Sequence, residues 1–196
     1  MPRAGLSPDA VVDAAIGIVD AGGPDALTLA AVAKAAGVAT PSLYKHVRNL
    51  AELRDLVTRR VMEELTVRLQ RAAMGRSGDD AMRAVMRAYR SYVVDHPSRY
   101  AAMSQQPLTD PRMADTGERL LEVVLAVLRG YDLDGPDLIH AARCLRSAVH
   151  GFAVLEAAGG FGLPEDLETS YDLLVRMVVG GLRAVPRPGP HEPPIG

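Results

Sequence analysis

One short segment, residues 40–48, carries side chains that suit contacts with a phosphate backbone and with base edges. It combines hydroxyls, a phenol, an imidazole and two cations within nine residues. Such groups bind phosphate oxygens, and they bind base edges when a helix lies in a major groove. The residues predicted to contact double-stranded DNA are Thr28, Thr40, Pro41, Ser42, Tyr44, Lys45, His46 and Arg48. Thr28 and Thr40 are expected on the DNA backbone.

A second set of residues could line a small-molecule pocket. Aromatic rings and methionines supply adaptable apolar walls, and a few polar groups orient a ligand. His150 and Arg143 are the predicted polar anchors; the alternatives are that Arg143 and Arg146 face solvent and that the tyrosines and methionines, each of which taken alone is more often a core residue, belong to the core. The predicted pocket residues are Tyr89, Tyr92, Tyr100, Met103, Arg143, Ser147, His150 and Phe152, with Phe161 nearby.

The spacing of the reactive residues predicts neither a catalytic site nor a metal site. The five histidines lack the i, i+3 or i, i+4 spacing of metal ligands, and Cys144 is the single cysteine. No glycine-rich phosphate loop follows a strand, since no segment has a convincing strand pattern. We therefore predict no catalytic residue, no metal and no cofactor.

Residues 28–47 have the pattern of a helix-turn-helix that would present the DNA-contacting set. Thr28 can cap a first helix of about two turns, and Gly37 can end it in a left-handed conformation. Thr40 is a second candidate cap, and Pro41 then occupies the first position of a helix running to Val47. Leucines, valines and alanines at helical spacing would pack the two helices together.

At these residues the sequence resembles the TetR family of bacterial transcriptional regulators. The resemblance rests on Gly37-Val38, on the run from Leu43 to Val47, and on Asn49 with the following Glu52-Leu53. It implies an all-helical dimer with an N-terminal DNA-binding domain and a C-terminal ligand-binding domain. The tripeptide at 149–151, Val-His-Gly, lies where some relatives carry Trp-His-Gly, which suggests that subgroup.

The sequence departs from the family pattern in two respects. Ala39 stands where relatives often have a serine that caps the recognition helix, so Thr40 is expected to cap one residue later. Ala30 and Ala31 offer no polar group on the first motif helix, so DNA contacts should depend more on the second.

The rest of the chain has helical periodicity, and we predict an all-α fold. A helix opening at Ser7-Pro8 supports the motif, and Asn49 caps a long helix that would transmit movement from a second domain. Further helices are predicted from 79 to 96, from Pro97, from Asp110-Pro111 to Gly130, from 136 to 158 and from 165 to 184. The predicted domains are 1–48 for DNA binding, 49–185 for ligand binding and dimerisation, and a disordered proline-rich tail at 186–196.

The last two predicted helices have more apolar surface than one protomer needs. Both are apolar on more than half their circumference, which favours burial against a second copy of the chain. The alternative is that they are two central helices of a monomer.

Composition adds the expected location. The net charge is −2, yet residues 1–60 carry +1, with the cations clustered at or just after the predicted recognition helix. A single cysteine fits a reducing compartment, and no apolar run has the length of a membrane span. We therefore expect a cytoplasmic protein without membrane contact.

Together these observations predict a ligand-responsive, homodimeric DNA-binding regulator. A repressor released from a palindromic operator by an unidentified small-molecule effector is favoured over an activator. The alternative from another class is a helical small-molecule-binding or enzymatic bundle whose helix-turn-helix contacts a protein.

Overall fold

The computed structural model describes residues 6–103 and 111–185, and within these ranges the regular structure is helical. This confirms the predicted all-α fold class. The α-helices are α1 Pro8–Gly22, α2 Leu29–Ala35, α3 Thr40–Leu43, α4 Leu50–Ala73, α5 Gly78–Asp95, α6 Pro97–Ala101, α7 Ala114–Leu128, α8 Gly135–Ala157 and α9 Leu167–Ala184.

The described residues form two compact units. The first contains residues 6–68, 91–103 and 111–121, and the second contains 69–90 and 122–185. The first unit therefore includes helices beyond the predicted 1–48 domain, because α1 packs against α6 as well as against α2. The predicted tail, 186–196, lies outside the described residues.

The first two helices begin where the sequence signals predicted. Ser7 Oγ accepts a hydrogen bond from the Ala10 amide at 3.1 Å, and Thr28 Oγ1 accepts one from the Ala31 amide at 3.1 Å. Each hydroxyl satisfies a backbone donor that has no partner inside its helix. Gly37 has the predicted left-handed conformation, with φ of 67°.

The second motif helix differs from its prediction in both start and length. Ala39, not Thr40, is the N-cap: its backbone is extended and its carbonyl accepts from the Ser42 amide at 2.8 Å. Helix α3 ends at Leu43 instead of Val47, and residues 44–46 form hydrogen-bonded turns. So short a helix has little stability of its own, and its end is set by packing, with Leu43 and Val47 both buried.

Helix α4 opens with a reciprocal cap. Asn49 Oδ1 accepts from the Glu52 amide at 2.9 Å, and Glu52 Oε2 accepts from the Arg48 amide at 2.5 Å. Apolar residues at helical spacing then follow on one buried face, including Leu53, Val57 and Val61. The predicted start at Asn49 is thereby confirmed.

The helix-turn-helix rests on a continuous apolar core inside the first unit. Val11 and Val19 of α1, Val32 of α2 and Leu43 of α3 are each fully buried. Burial of an aliphatic side chain contributes about 1.5–3 kcal/mol, so these few contacts suffice to fix short helices that would be unstable alone.

The second unit is held by a charged cluster between α5, α8 and α9. Both sides of the Arg90 guanidinium donate to Glu156, at 2.6 and 2.7 Å, and its remaining nitrogen lies 2.9 Å from Glu168. The same guanidinium lies 4.6 Å from the Tyr171 ring centroid, and the Tyr171 hydroxyl donates to the Met86 carbonyl at 2.6 Å. A nearly buried arginine is tolerated here because it is fully paired.

The later helices follow the predicted order with shifted starts. Helix α7 begins at Ala114, after a turn at 111–113, instead of at Asp110-Pro111; Asp110 itself lies outside the described residues. None of the helices in the described ranges is long and apolar enough to cross a membrane.

Candidate functional site

The segment predicted to contact DNA presents its polar side chains outward. Tyr44 is 56% exposed, an unusual state for a tyrosine that could bury its ring. Most of the other predicted contact residues are exposed, and three are half-buried. Those exposed are Thr28, Pro41, Lys45 and Arg48, and those half-buried are Thr40, Ser42 and His46.

Two buried side chains determine which residues of this segment face solvent. Leu43 is fully buried and Val47 is 2% exposed, and the Val47 amide donates to the Leu43 carbonyl at 2.9 Å. Tyr44 and Lys45 lie between these two anchors, on the hydrogen-bonded turns that follow α3, and both are exposed. The phenol of Tyr44 and the ammonium of Lys45 are therefore both available to contact another molecule.

Arg48 already has an intramolecular partner. Its Nε lies 3.2 Å from Glu52 Oε2, and this hydrogen bond raises the pKa of the guanidinium. The Arg48 backbone amide, followed by its side chain, lowers the pKa of Glu52. The arginine side chain is 84% exposed, so the pair is weak and a phosphate could replace the carboxylate. The i, i+4 spacing of Arg48 and Glu52 would have predicted this pair, but the sequence analysis had not identified it.

Three predicted pocket residues belong to the first unit and are buried there. The Tyr92 hydroxyl donates to Glu64 Oε2 at 2.9 Å, and burial raises the pKa of this phenol. Tyr100 is 3% exposed and Met103 is 7% exposed. Each of these side chains takes part in the packing of the unit.

The other five predicted pocket residues belong to the second unit. Arg143 and Ser147 are exposed on α8, whereas Tyr89, His150 and Phe152 are half-buried. Burial, with a smaller contribution from Arg146, lowers the pKa of His150, which favours the neutral imidazole. The predicted pocket residues are thus divided between the units, and their role as a ligand site stays a prediction.

Phe152 packs in an aromatic group that includes the predicted neighbour Phe161. Its ring centroid lies 4.8 Å from that of Phe161 and 4.9 Å from that of Tyr171. The group adjoins the Arg90 guanidinium, which is 5.6 Å from the Phe152 centroid.

An apolar groove of about 480 Å³ runs between α8 and α9. Its lining is made mostly of small and aliphatic residues, which lets another helix approach closely. Met177 lines this groove and is 65% exposed; two further leucines of the same helices, Leu173 of α9 and Leu155 of α8, are about half exposed, at 51% and 49%. The small residues of the lining are Ala141, Cys144, Ala148 and Gly181.

Comparison with known families gives two matches along the chain. Residues 11–55 match the family described as bacterial regulatory proteins, tetR family, and residues 82–178 match the domain described as tetracyclin repressor-like, C-terminal. The first match contains the helix-turn-helix, and the second contains all of α8 and most of α5 and α9.

Individual relatives extend over most of the chain. It is 38% identical over 180 residues to an uncharacterized HTH-type transcriptional regulator of Mycobacterium tuberculosis, Rv0681, covering 89% of this chain and 81% of that protein. It is 31% identical over 153 residues to the HTH-type transcriptional repressor DrrR1 of Streptomyces coeruleorubidus, covering 78% of this chain and 54% of the repressor.

Solved structures share the fold. The transcriptional regulator SCO7222 from Streptomyces coelicolor, described as a TetR, superposes with a TM-score of 0.75 at 21% identity, covering 93% of this chain and 100% of that chain. The regulator FadR from Bacillus subtilis, solved in complex with stearoyl-CoA, gives 0.69 at 16% identity, covering 89% and 99%.

Proposed function

We propose a repressor function for this chain, which belongs to the TetR family of bacterial regulatory proteins. As a member of this family it is a DNA-binding transcriptional regulator and not an enzyme. In the proposed function, a small molecule releases the repressor from its operator. We place its action in the cytoplasm, where its DNA target lies. The further proposal that the C-terminal domain belongs to the Trp-His-Gly subgroup rests on His150-Gly151 alone.

The observation that carries the DNA-binding role is the outward display of Tyr44 and Lys45 between the buried anchors Leu43 and Val47. We assign the main DNA contacts to Ser42, Tyr44, Lys45 and His46, with Thr28 and Thr40 on the phosphate backbone. Arg48 would exchange Glu52 for a phosphate, and Pro41 shapes the start of the helix. A segment of this kind enters a major groove, where hydroxyls and cations meet base edges and phosphates.

Binding to duplex DNA across a salt series tests this role. Selection from random duplexes first yields an operator. The affinity of the protein for this operator should then fall steeply as the salt concentration increases, because protein cations that bind phosphates release counterions from the DNA. An affinity for protein but for no duplex at low ionic strength would instead favour the helical bundle whose helix-turn-helix contacts a partner protein.

We further propose a homodimer formed through α8 and α9. The groove between these helices, whose lining includes the exposed Met177, is the kind of apolar surface that a second copy would cover. A two-fold dimer presents two identical recognition segments, so the selected operator should be a palindrome with half-sites about one helical turn apart.

The repressor assignment is supported by the likeness to DrrR1, which is a transcriptional repressor. A reporter gene placed behind the selected operator should show lower expression when the protein is present. Higher expression would identify an activator with the same DNA-binding mode.

The effector role is proposed for residues of the C-terminal region. FadR of similar fold is bound to stearoyl-CoA, and half of the predicted pocket residues of this chain are tyrosine or phenylalanine. The ligand contacts that we propose are the five predicted residues of the second unit, which are Tyr89, Arg143, Ser147, His150 and Phe152. A neutral His150 would exchange hydrogen bonds with a polar group of the effector, while Arg143 would pair with an anionic one.

Replacing His150 by alanine should weaken the effector response and leave operator binding unchanged. The expected rise in the effector concentration needed for half release is about tenfold, the value of one hydrogen bond to a buried partner. A library of small molecules screened for release of the wild-type protein supplies the effector for this titration. Equal loss of DNA binding and effector response would mean that His150 only maintains the fold.

A further inference from the structure

Three carboxylates lie on one face of α1. Asp9, Asp13 and Asp20 are four and seven residues apart, which places them within about 40° of one another around the helix. We call this set the acidic face. Carboxylates close to the helix-turn-helix would repel the phosphates of DNA unless other groups neutralise them.

Each carboxylate of the acidic face is paired with an arginine from another helix. Arg60 of α4 reaches Asp13 at 2.7 Å and Asp9 at 3.1 Å. Arg99 of α6 binds Asp20 through two nitrogens, one at 3.0 Å and one in a shorter contact. The two arginines therefore hold α1 near its start and near its end.

The Arg99 end is the stronger of the two. Its side chain is only 17% exposed, and its third nitrogen lies 2.9 Å from Glu64 Oε2 on α4. Glu64 in turn accepts from the Tyr92 hydroxyl, which fixes its carboxylate. The hydrogen bond from Arg99 lowers the pKa of Asp20, consistent with a carboxylate that stays charged and bound. By contrast, Asp9 and Asp13 are 87% and 65% exposed.

We propose that Arg99 and Arg60 are positioning residues for DNA binding, which fix α1, and with it the helix-turn-helix, against α6 and α4 through the acidic face. The proposal rests on the proposed function. Since α1 packs on α2 and α2 packs on α3, the orientation of α1 determines where Tyr44 and Lys45 lie.

A simpler account assigns the arginines only the neutralisation of charge near DNA. The two accounts predict opposite effects for Asp20→Asn. If charge alone matters, removing a carboxylate from the DNA-binding head should tighten binding, and the double variant Asp20→Asn with Arg99→Gln should equal wild type. If the ion pair positions α1, both should bind the operator more weakly.

The experiment measures operator and non-specific duplex affinity for Asp20→Asn, Arg99→Gln and the double variant. We expect operator affinity to fall about tenfold in all three, with nearly the same loss in the double as in Arg99→Gln, because the loss of one charged hydrogen-bonded pair has this size. Non-specific affinity should change little or should rise for Asp20→Asn. Arg87→Gln, which breaks the ion pair at 2.8 Å between α5 and α9, is the matched control and should bind as wild type.

Tighter operator binding by Asp20→Asn, with a double variant equal to wild type, would overturn the proposal. Circular dichroism and thermal melting monitor the fold of each variant. Should Asp20→Asn lose helix content, the exposed Asp13→Asn decides by the same opposite signs. Failure of the wild-type protein to bind any duplex would instead refute the proposed function.

Discussion

Alanine at both Tyr44 and Lys45 should abolish operator binding while dimerisation and helicity stay as in wild type. Both side chains are exposed on a turn whose anchors, Leu43 and Val47, are untouched by the change. A base-edge or phosphate contact contributes about 1–3 kcal/mol, and a dimer would lose both contacts twice. The expected loss of affinity is therefore roughly a thousandfold or more, measured by gel shift or fluorescence anisotropy at fixed salt.

Arg71→Ala is the control for loss of positive charge alone. Arg71 is exposed in the last turn of α4, away from the helix-turn-helix in the chain. The Arg71→Ala variant should therefore bind the operator as the wild-type protein does. Retention of tight binding by the Tyr44, Lys45 double variant would remove this turn from the DNA interface. Equal loss in the Arg71 variant would point to total charge instead of a located contact.

Local signals predicted the first half of the helix-turn-helix well. The caps at Ser7, Thr28 and Asn49 are formed by side chains that bind backbone amides three residues away, so the information lies within one turn of sequence. The left-handed Gly37 is predictable for the same reason, because only glycine adopts that conformation without strain.

Helix α3 shows where local reasoning fails. Threonine is the better capping residue, yet the cap of α3 is Ala39, which makes no side-chain cap hydrogen bond. The length of α3 is likewise set by the position of the Asn49 cap and by burial of Leu43 and Val47. Tertiary packing overrides helix propensity in so short a segment.

Long-range pairs were beyond sequence reasoning. The sequence shows the acidic residues of α1, but no short-range signal predicts their partners. Arg99, which pairs with Asp20, lies 79 residues later, and Arg60, which pairs with Asp13, lies 47 residues later. Pocket residues pose a related problem. A tyrosine that is buried and bound to a neighbouring side chain, as Tyr92 is to Glu64, looks the same in the sequence as a tyrosine that contacts a ligand. Only the fold distinguishes them.

The apolar surface of the last two helices was predictable because helical periodicity shows how many sides are apolar. In the structure, Met177 and Leu173 of α9 and Leu155 of α8 remain at least about half exposed, and the groove between the helices is lined by small residues. Exposure of such side chains to water is unfavourable by about 25 cal/mol per Å², which favours covering them. We therefore propose this surface as the dimer interface, with Met177 as one of its residues.

Met177→Arg should convert the protein to a monomer. A cation at a 65% exposed position is harmless in the isolated protomer, but in a dimer it would be buried without a partner. Operator affinity should fall at least a hundredfold, since each half-site would then be bound without the other. Sedimentation velocity gives the mass, and anisotropy gives the affinity.

Met74→Arg is the matched control, because Met74 is also a highly exposed methionine, at 73%, but lies just after α4 and outside the groove. It should stay dimeric and bind the operator normally. If Met177→Arg remained a dimer with wild-type affinity, α8 and α9 could not be the interface, and the groove between them would need another occupant. A wild-type protein that sediments as a monomer while binding a palindrome tightly would refute the two-fold arrangement itself, because then a single recognition segment would have to supply all of the affinity.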